Sequence, residues 1–267
     1  MTRTLATGAL CALVTCACVP AASAADLQPM ETAPEAPSFY DVAFGVKLTN
    51  DYILRSVSQS NGKPAVQGYA ELTLFDWVYA GIWGSNVDFG ASNPSMELDF
   101  WGGLRHSFGP LTLDVGYIDV NYTSELKNAH KMDFWKIYGI AKYALTDWLT
   151  VGANIYWTSD FVGFGVDGTH SAAFARIDLP GLSTLPDVKF YVSGEFGRQW
   201  VAKNFAPDHN FWNLGGGATY KAMTLDLRYT GASLSKRECA LFIGDRNSCG
   251  DRFMASLSFD TSLSKLK

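Results

Sequence analysis

The stretch MELDFWGGLRHSF, residues 96–108, alternates apolar and polar side chains along its length. Even positions are mostly apolar, as at Leu98 and Phe100, and odd positions are largely polar, as at Glu97 and Asp99. Successive side chains of a β-strand point to opposite faces, so this stretch predicts a strand with one apolar and one polar face. Such a strand suits a sheet with one face in an apolar environment and the other in water.

Twelve stretches of this kind, separated by turns, occupy the chain from residue 40 onward. We predict strands at 40–49, 65–74, 78–87, 96–108, 111–122, 133–145, 148–158, 171–179, 188–200, 211–221, 224–234 and 251–263. The connections alternate between long loops and mostly short turns, and the strand number is even. Both features are typical of an all-β fold, a transmembrane antiparallel up-and-down β-barrel of the bacterial outer membrane. The alternative is a water-soluble β-sandwich.

The first residues predict export. Arg3 is the only charge before residue 25, residues 5–19 are apolar or small, and Ala22-Ser23-Ala24 has the form of a cleavage site. We therefore expect a signal peptide at 1–24, a flexible periplasmic lead-in at 25–39 and the barrel at 40–267. The alternative, a membrane anchor, fits less well because a spanning helix needs about 20 apolar residues.

The charge balance and the aromatic residues give further constraints. Without Arg3 the chain has 20 Lys and Arg against 26 Asp and Glu, a net charge of −6, which argues against nucleic-acid binding.

Aromatic residues concentrate at predicted strand ends, as expected of the two interfacial girdles of a membrane barrel. They are Phe75, Trp77, Phe108 and Trp148 at the turn ends, and Trp157, Trp200, Phe211 and Trp212 at the loop ends.

Two cysteines remain after removal of the predicted signal peptide, Cys239 and Cys249. In an oxidising compartment, two cysteines this close predict a disulfide that closes a small loop. Two free thiols in a loop are the alternative. Since both lie in the last long connection, we expect them outside the cell.

The inward face follows from the alternation, because residues between the apolar positions point into the barrel. The cations predicted to line a pore are Lys47, Arg105, Lys136, Lys142, Arg176, Lys189, Arg228 and Arg252. The anions predicted to line it are Glu71, Glu97, Asp99, Asp114, Glu195 and Asp226. Asp41, Asp178 and Asp260 also face inward, so eight cations meet nine anions and no strong ion preference follows.

The predicted barrel width bears on conduction. Eight strands enclose only their own side chains, whereas roughly 16–18 strands leave a wide channel. Twelve strands therefore predict a narrow, partly obstructed pore for small polar solutes. The alternatives are an interior filled by salt-bridged side chains, or a non-conducting barrel whose outside loops bind a ligand or partner.

The histidines offer little for catalysis. His106 and Ser107 are adjacent on one strand, so their side chains point to opposite faces and cannot form a base–nucleophile pair. His130, His170 and His209 are predicted to lie in outside loops, where solvated side chains are the expected state and a three-histidine metal site is the alternative. We predict no catalytic residue, no metal and no cofactor.

Residues 48–88 and the acidic strand after them resemble the TorF porin family, an outer-membrane family of Gram-negative bacteria. The shared residues are Asn50-Asp51-Tyr52, Arg55, Ser58-Gln59-Ser60, Pro64-Ala65, Gln67-Gly68, Tyr79, Gly81, Trp83, Ser85-Asn86-Val87 and Glu97-Leu98-Asp99. A cysteine pair in the last outside loop is similar as well.

This resemblance implies an outer-membrane barrel that acts as a channel, with no catalytic residues to carry over. The implied partners are outer-membrane lipid, small polar solutes, periplasmic chaperones and the barrel-assembly machinery. The matched block also suggests that the first loop, with Arg55 and Gln59, folds inward and constricts the pore.

Overall fold

The computed structural model describes residues 39–90, 94–123, 130–202 and 205–266. Within these ranges, twelve antiparallel strands form a closed barrel. They are β1 (Tyr40–Thr49), β4 (Ala65–Leu74), β5 (Val78–Asn86), β6 (Met96–Phe108), β7 (Leu111–Thr123), β8 (Phe134–Thr146), β9 (Leu149–Thr158), β10 (Gly168–Leu179), β11 (Val188–Val201), β12 (His209–Tyr220), β13 (Met223–Ala232) and β14 (Arg252–Ser262). Among the described connections, one holds a hairpin of β2 (Ile53–Leu54) and β3 (Val57–Ser58), and another holds an α-helix, α1 (Lys236–Ile243).

Closure comes from pairing of the first strand with the last. Val46 of β1 lies opposite Phe259 of β14, while the other edge of β1 pairs with β4. Closure leaves no unpaired sheet edge, so every strand satisfies its backbone groups on both sides. The prediction of a closed twelve-stranded antiparallel barrel is confirmed.

The two ends of the barrel differ in their connections. The end here called the short-turn end includes the tight turns at residues 75–77, 109–110, 147–148 and 221–222. The opposite, long-loop end carries the loop between β1 and β4, here called loop 1 (residues 50–64), and the loop between β13 and β14, called the last loop (residues 233–251). The β2–β3 hairpin of loop 1 and the helix α1 of the last loop therefore lie at the same end of the barrel.

The sequence alternation becomes a difference between the two barrel surfaces. In β13, Leu225 and Leu227 are exposed, while Asp226 between them is buried and so is Thr230 on the same face. In a water-soluble protein the apolar side chains are buried and the polar ones are exposed, since removing apolar surface from water lowers the free energy. The outer surface therefore matches an apolar surrounding, and the polar groups are gathered inside.

Glycines on the inner face make room for aromatic rings. A Cβ at Gly81 would clash with the ring of Trp101, and one at Gly217 would clash with Tyr191. Both rings are buried against the wall. The glycines in strands therefore allow large side chains to lie flat across a neighbouring strand.

The aromatic residues follow the predicted bands with one exception. Phe75, Trp77, Phe108 and Trp148 are exposed at the short-turn end, and Trp157 and Trp200 are exposed near the long loops. Phe211 was predicted in the outer band and is instead 2% exposed, inside the barrel. It shares the inward-facing register of β12 with His209, which is two residues before it and also buried.

Most strand ends agree with the sequence prediction to within two residues, and β10 differs most. It begins at Gly168 rather than residue 171, because its first residues pair with both β9 and β11.

The predicted signal peptide and nearly all of the predicted lead-in lie outside the described residues. In the described part of the chain, no helix is both long and apolar enough to cross a membrane.

Candidate functional site in the barrel lumen

The barrel interior is the candidate site, because all fourteen charged residues predicted to line a pore lie on the inward register of their strands. Their burial differs. The buried ones are Glu71, Glu97, Asp99, Asp114, Lys136 and Asp226. The half-buried ones are Lys47, Arg105, Lys142, Arg176, Glu195, Arg228 and Arg252, and Lys189 is exposed near the short-turn end.

One charge cluster is centred on Arg105 of β6. Its Nη1 donates to Glu71 at 3.0 Å and its Nε donates to Asp114 at 2.9 Å. The guanidinium also lies over the ring of Tyr79, 4.0 Å from the ring centre. Trp101 donates its indole N–H to Glu71 at 2.9 Å, and the Tyr79 hydroxyl donates to Asp114. The two carboxylates are thus held by neutral donors as well as by one cation.

A second cluster lies on β10 to β13. Arg228 bonds Asp226 at 2.9 Å and Asn213 at 2.6 Å, and Tyr191 donates its hydroxyl to Asp226 at 2.6 Å. The guanidinium of Arg176 lies 3.8 Å from the centre of the Tyr191 ring, on the same wall. In each cluster, a buried aspartate accepts a hydrogen bond from a tyrosine, and an arginine lies over the ring of that tyrosine.

Loop 1 enters the barrel. Its β2–β3 hairpin turns at Arg55 and Ser56, whose φ angles are +46° and +64°. Two positive φ angles in sequence match the type I′ turn that suits a two-residue hairpin. That turn usually contains Asn or Gly, so these residues hold a costly backbone conformation that the surroundings must stabilise.

Contacts of loop 1 reach opposite walls of the barrel. Tyr52, 1% exposed, donates to Glu97 of β6 at 3.0 Å. Arg55 Nη1 lies 2.8 Å from Nδ1 of His170 on β10. Ser56 lies 2.6 Å from Thr230 of β13, Oγ to Oγ1. Since these three wall strands are widely separated around the barrel, the loop crosses the interior.

The base of loop 1 is fixed by Asp51. Its Oδ1 accepts from Ser58 at 2.6 Å and from Ser60 at 2.9 Å, and its Oδ2 accepts from Arg252 Nη1 at 2.7 Å. Gln59, the other residue predicted to constrict the pore, donates instead to the carbonyl of Val57 within the loop. Arg55 therefore contacts the wall, whereas the Gln59 side chain supports the loop itself.

The last loop covers loop 1. Cys239 of α1 and Cys249 are joined by a disulfide, as predicted. Val57 of loop 1 forms a β-bridge with Cys249, and the amide of Ser58 donates to Ser248 at 2.7 Å. The disulfide thus lies directly against the inserted hairpin.

The helix α1 carries a capping box of Ser235 and Glu238. The Ser235 side chain accepts from the Glu238 amide, and the Glu238 carboxylate accepts from the Ser235 amide. The Ser235 hydrogen bonds hold the pKa of Glu238 below its usual range. The cap defines where the helix begins and so helps to place Cys239.

Removing the disulfide is expected to loosen the last loop. The double variant Cys239→Ala/Cys249→Ala should lose about 2–3 kcal/mol of stabilisation, because the cross-link closes a loop of roughly ten residues in the unfolded chain. Limited proteolysis should then cleave residues 235–250 much faster than in the oxidised protein, while the strands stay protected. Equal cleavage rates for the variant and the oxidised protein would contradict this expectation.

A small pocket lies beside the hairpin tip, where Arg55, Lys136, His170, Tyr156 and Gln199 are among its lining residues. His170 stacks on Tyr156 with ring centres 4.4 Å apart. The side chain of Arg55 thus lines this pocket together with His170 of the wall, which it contacts.

The prediction that three histidines lie in outside loops is wrong for two of them. His170 and His209 belong to β10 and β12 and are 3% and 1% exposed, because both strands extend further than the sequence pattern indicated. His130 lies in a loop and stacks on Phe164. Among the described residues, no group of three or more His, Cys, Asp or Glu side chains is arranged to hold a metal ion.

Solved structures of three proteins are similar to this chain. The KdgM porin is 8% identical, with a TM-score of 0.50 over 82% of this chain and 98% of that chain, and a second KdgM structure is in complex with disordered oligogalacturonate. The NanC porin is 10% identical, with a TM-score of 0.48 over 82% and 98%. LpxR from Salmonella typhimurium is 9% identical, with a TM-score of 0.43 over 82% and 99%.

These likenesses concern the fold alone, given their low sequence identity. No curated protein matches the chain. Residues 33–258 match a family described as "Bacterial protein of unknown function (Gcw_chp)".

Proposed function

Because the chain belongs to the Gcw_chp family of bacterial proteins of unknown function, we propose its activity from geometry: an outer-membrane, porin-like channel for passive diffusion of small polar solutes. One observation carries the proposal: a closed barrel is apolar outside and holds its strand charges inside. The likeness of the fold to the KdgM porin and the resemblance of residues 48–99 to TorF porins agree with it. Transport of this kind needs no cofactor and no catalytic residue.

The outer surface supports residence in lipid. We propose that outer-membrane lipid contacts the apolar face, and that the chain reaches the membrane by its signal peptide, periplasmic chaperones and the barrel-assembly machinery. No long apolar helix is needed, because a closed barrel satisfies all of its backbone groups in lipid.

A charge placed on the outer face tests this location. Leu227 is 58% exposed near the middle of β13, so Leu227→Arg should cost about 2–4 kcal/mol of folding free energy in lipid vesicles. The matched variant Tyr220→Arg, at an exposed strand end, should cost only about 0–1 kcal/mol because the penalty falls toward the interface. Urea unfolding in vesicles measures both. Equal costs for the two variants would contradict a lipid-facing β13.

The interior supports a narrow path rather than a wide one. Loop 1 crosses the long-loop end, whereas half-buried charges such as Arg176, Glu195 and Arg228 remain accessible below it. We propose that loop 1 is the constriction and that its displacement, or gaps beside it, sets the conductance. Because KdgM is known in complex with oligogalacturonate, sugar acids belong in a panel of test solutes.

The second candidate is a non-conducting barrel whose outside loops bind a ligand or partner. It is favoured by the deep burial of the inward charges nearest loop 1, as Glu97 and Asp99 are 1% and 0% exposed. Planar-bilayer recording of the purified full chain discriminates the two. Steady ion-permeable steps support the channel, whereas silence from a folded barrel, both intact and with loop 1 shortened, supports the binding protein.

A further inference from the structure

The inward charges are balanced in number but not in exposure. Of the nine inward anions on the described strands, five are buried: Glu71, Glu97, Asp99, Asp114 and Asp226. Of the eight inward cations on the same strands, only Lys136 is buried. The charges that reach the lumen solvent are therefore seven cations and four anions.

The ion pairs show how this asymmetry arises. The Arg105 side chain is 18% exposed and its partner Asp114 is 4% exposed, while Arg228 and its partner Asp226 are 11% and 3% exposed. The Arg252 side chain is likewise more exposed than that of its partner Asp51, at 18% against 6%. Only Arg176 is less exposed than its partner among these pairs, at 14% against 19% for Asp178.

Three of the buried carboxylates also accept hydrogen bonds from aromatic side chains of the wall. Tyr79 donates to Asp114, Trp101 donates to Glu71 and Tyr191 donates to Asp226, so these carboxylates direct lone pairs into the wall. An entering solute meets the guanidinium groups first, and the compensating carboxylates lie behind them. Since Coulomb energy falls with distance, the nearer charge dominates at contact.

We propose that the lumen favours small anions, both inorganic monovalent ions and small carboxylates, over cations. This inference rests on the proposed channel function and adds its selectivity. A cleft lined by solvent-reaching charge of one sign concentrates its counter-ions, and low-dielectric walls strengthen the effect. The selectivity comes from which partner of each pair faces the lumen, so the nearly neutral charge count conceals it.

The test is the reversal potential of the full chain in planar bilayers under a potassium chloride gradient. Both the intact protein and the variant lacking residues 56–63 are recorded, so that a closed loop 1 does not hide the lumen. Chloride should permeate several-fold faster than potassium. Equal permeability or a potassium preference would overturn the inference while leaving the channel function standing. Silence from both proteins would overturn the channel function and the selectivity with it.

A charge-reversal variant places the effect in the lumen. Lys142→Glu/Lys189→Glu removes two solvent-reaching cations and adds two anions, so the chloride preference should be lost or reversed. If that variant does not fold, Lys142→Gln/Lys189→Gln should still reduce the preference. The control Lys236→Glu/Arg237→Glu makes the same change of charge on α1, outside the lumen, and should leave the reversal potential unchanged. An unchanged preference in the folded lumen variants would overturn the inference.

Discussion

Deleting residues 56–63 is expected to raise the single-channel conductance several-fold. The deletion removes β3 and the second residue of the hairpin turn, so the remaining segment can no longer cross the barrel. Contacts of Ser56 with Thr230 and of Ser58 with Ser248 disappear with it. Since conductance is limited by the narrowest section of a pore, removing the crossing segment should have the largest effect on transport of any loop change.

The loss of contacts can be separated from the loss of bulk. Tyr52→Phe/Arg55→Ala keeps the length of loop 1 but removes its bonds to Glu97 and His170. We expect this variant to open more often while the size of its smallest conductance step stays the same. Lys63→Ala, which alters an exposed side chain of the same loop, should change neither quantity. Bilayer recordings give both open probability and step size.

An unchanged step size in a folded deletion variant would contradict the assignment of loop 1 as the constriction. Folding is checked independently by heat-modifiable migration on gels, because an intact barrel migrates differently from an unfolded chain. A silent but folded deletion variant would instead favour the non-conducting binding protein.

The barrel could be predicted from sequence because a period of two places every side chain of a strand. Leu225, Asp226 and Leu227 show the alternation directly, and the same rule identified the inward charges. The helix α1 could also have been found, since Ser235 and Glu238 have the spacing of a capping box. The hairpin of loop 1 carries no such signal, as its strands have two residues each and its turn has Arg55 and Ser56 instead of Asn and Gly.

Burial inside the barrel could not be predicted from alternation. The pattern shows that Arg105 and Asp114 face inward, but it does not show which of them reaches solvent. That depends on a third strand, since Tyr79 of β5 supplies both a ring under Arg105 and a hydroxyl for Asp114. Likewise His170 falls in a strand because its neighbours on β9 and β11 pair with it. Both features require the sheet to be assembled.

Replacing Arg105 with Met should give the largest loss of stability of any single change in the lumen, about 3–5 kcal/mol. The substitution keeps most of the apolar stem but leaves Glu71 and Asp114 buried without their shared cation. Hydrogen bonds from Trp101 and Tyr79 do not neutralise two carboxylates. The free energy of unfolding in detergent or lipid, measured with urea, should fall accordingly.

Two comparisons assign this loss to the buried charges. Lys189→Met removes an exposed cation from the same lumen and should change the free energy of unfolding by no more than about 0.5 kcal/mol. The triple variant Arg105→Met/Glu71→Gln/Asp114→Asn removes all three charges and should recover much of the loss, since breaking a buried pair costs more than removing it. If Arg105→Met cost no more than Lys189→Met, the carboxylates would have to be hydrated by lumen water. The wall near Arg105 would then belong to a wider aqueous path, and the asymmetry of exposed cations over buried anions would no longer hold at that level of the barrel.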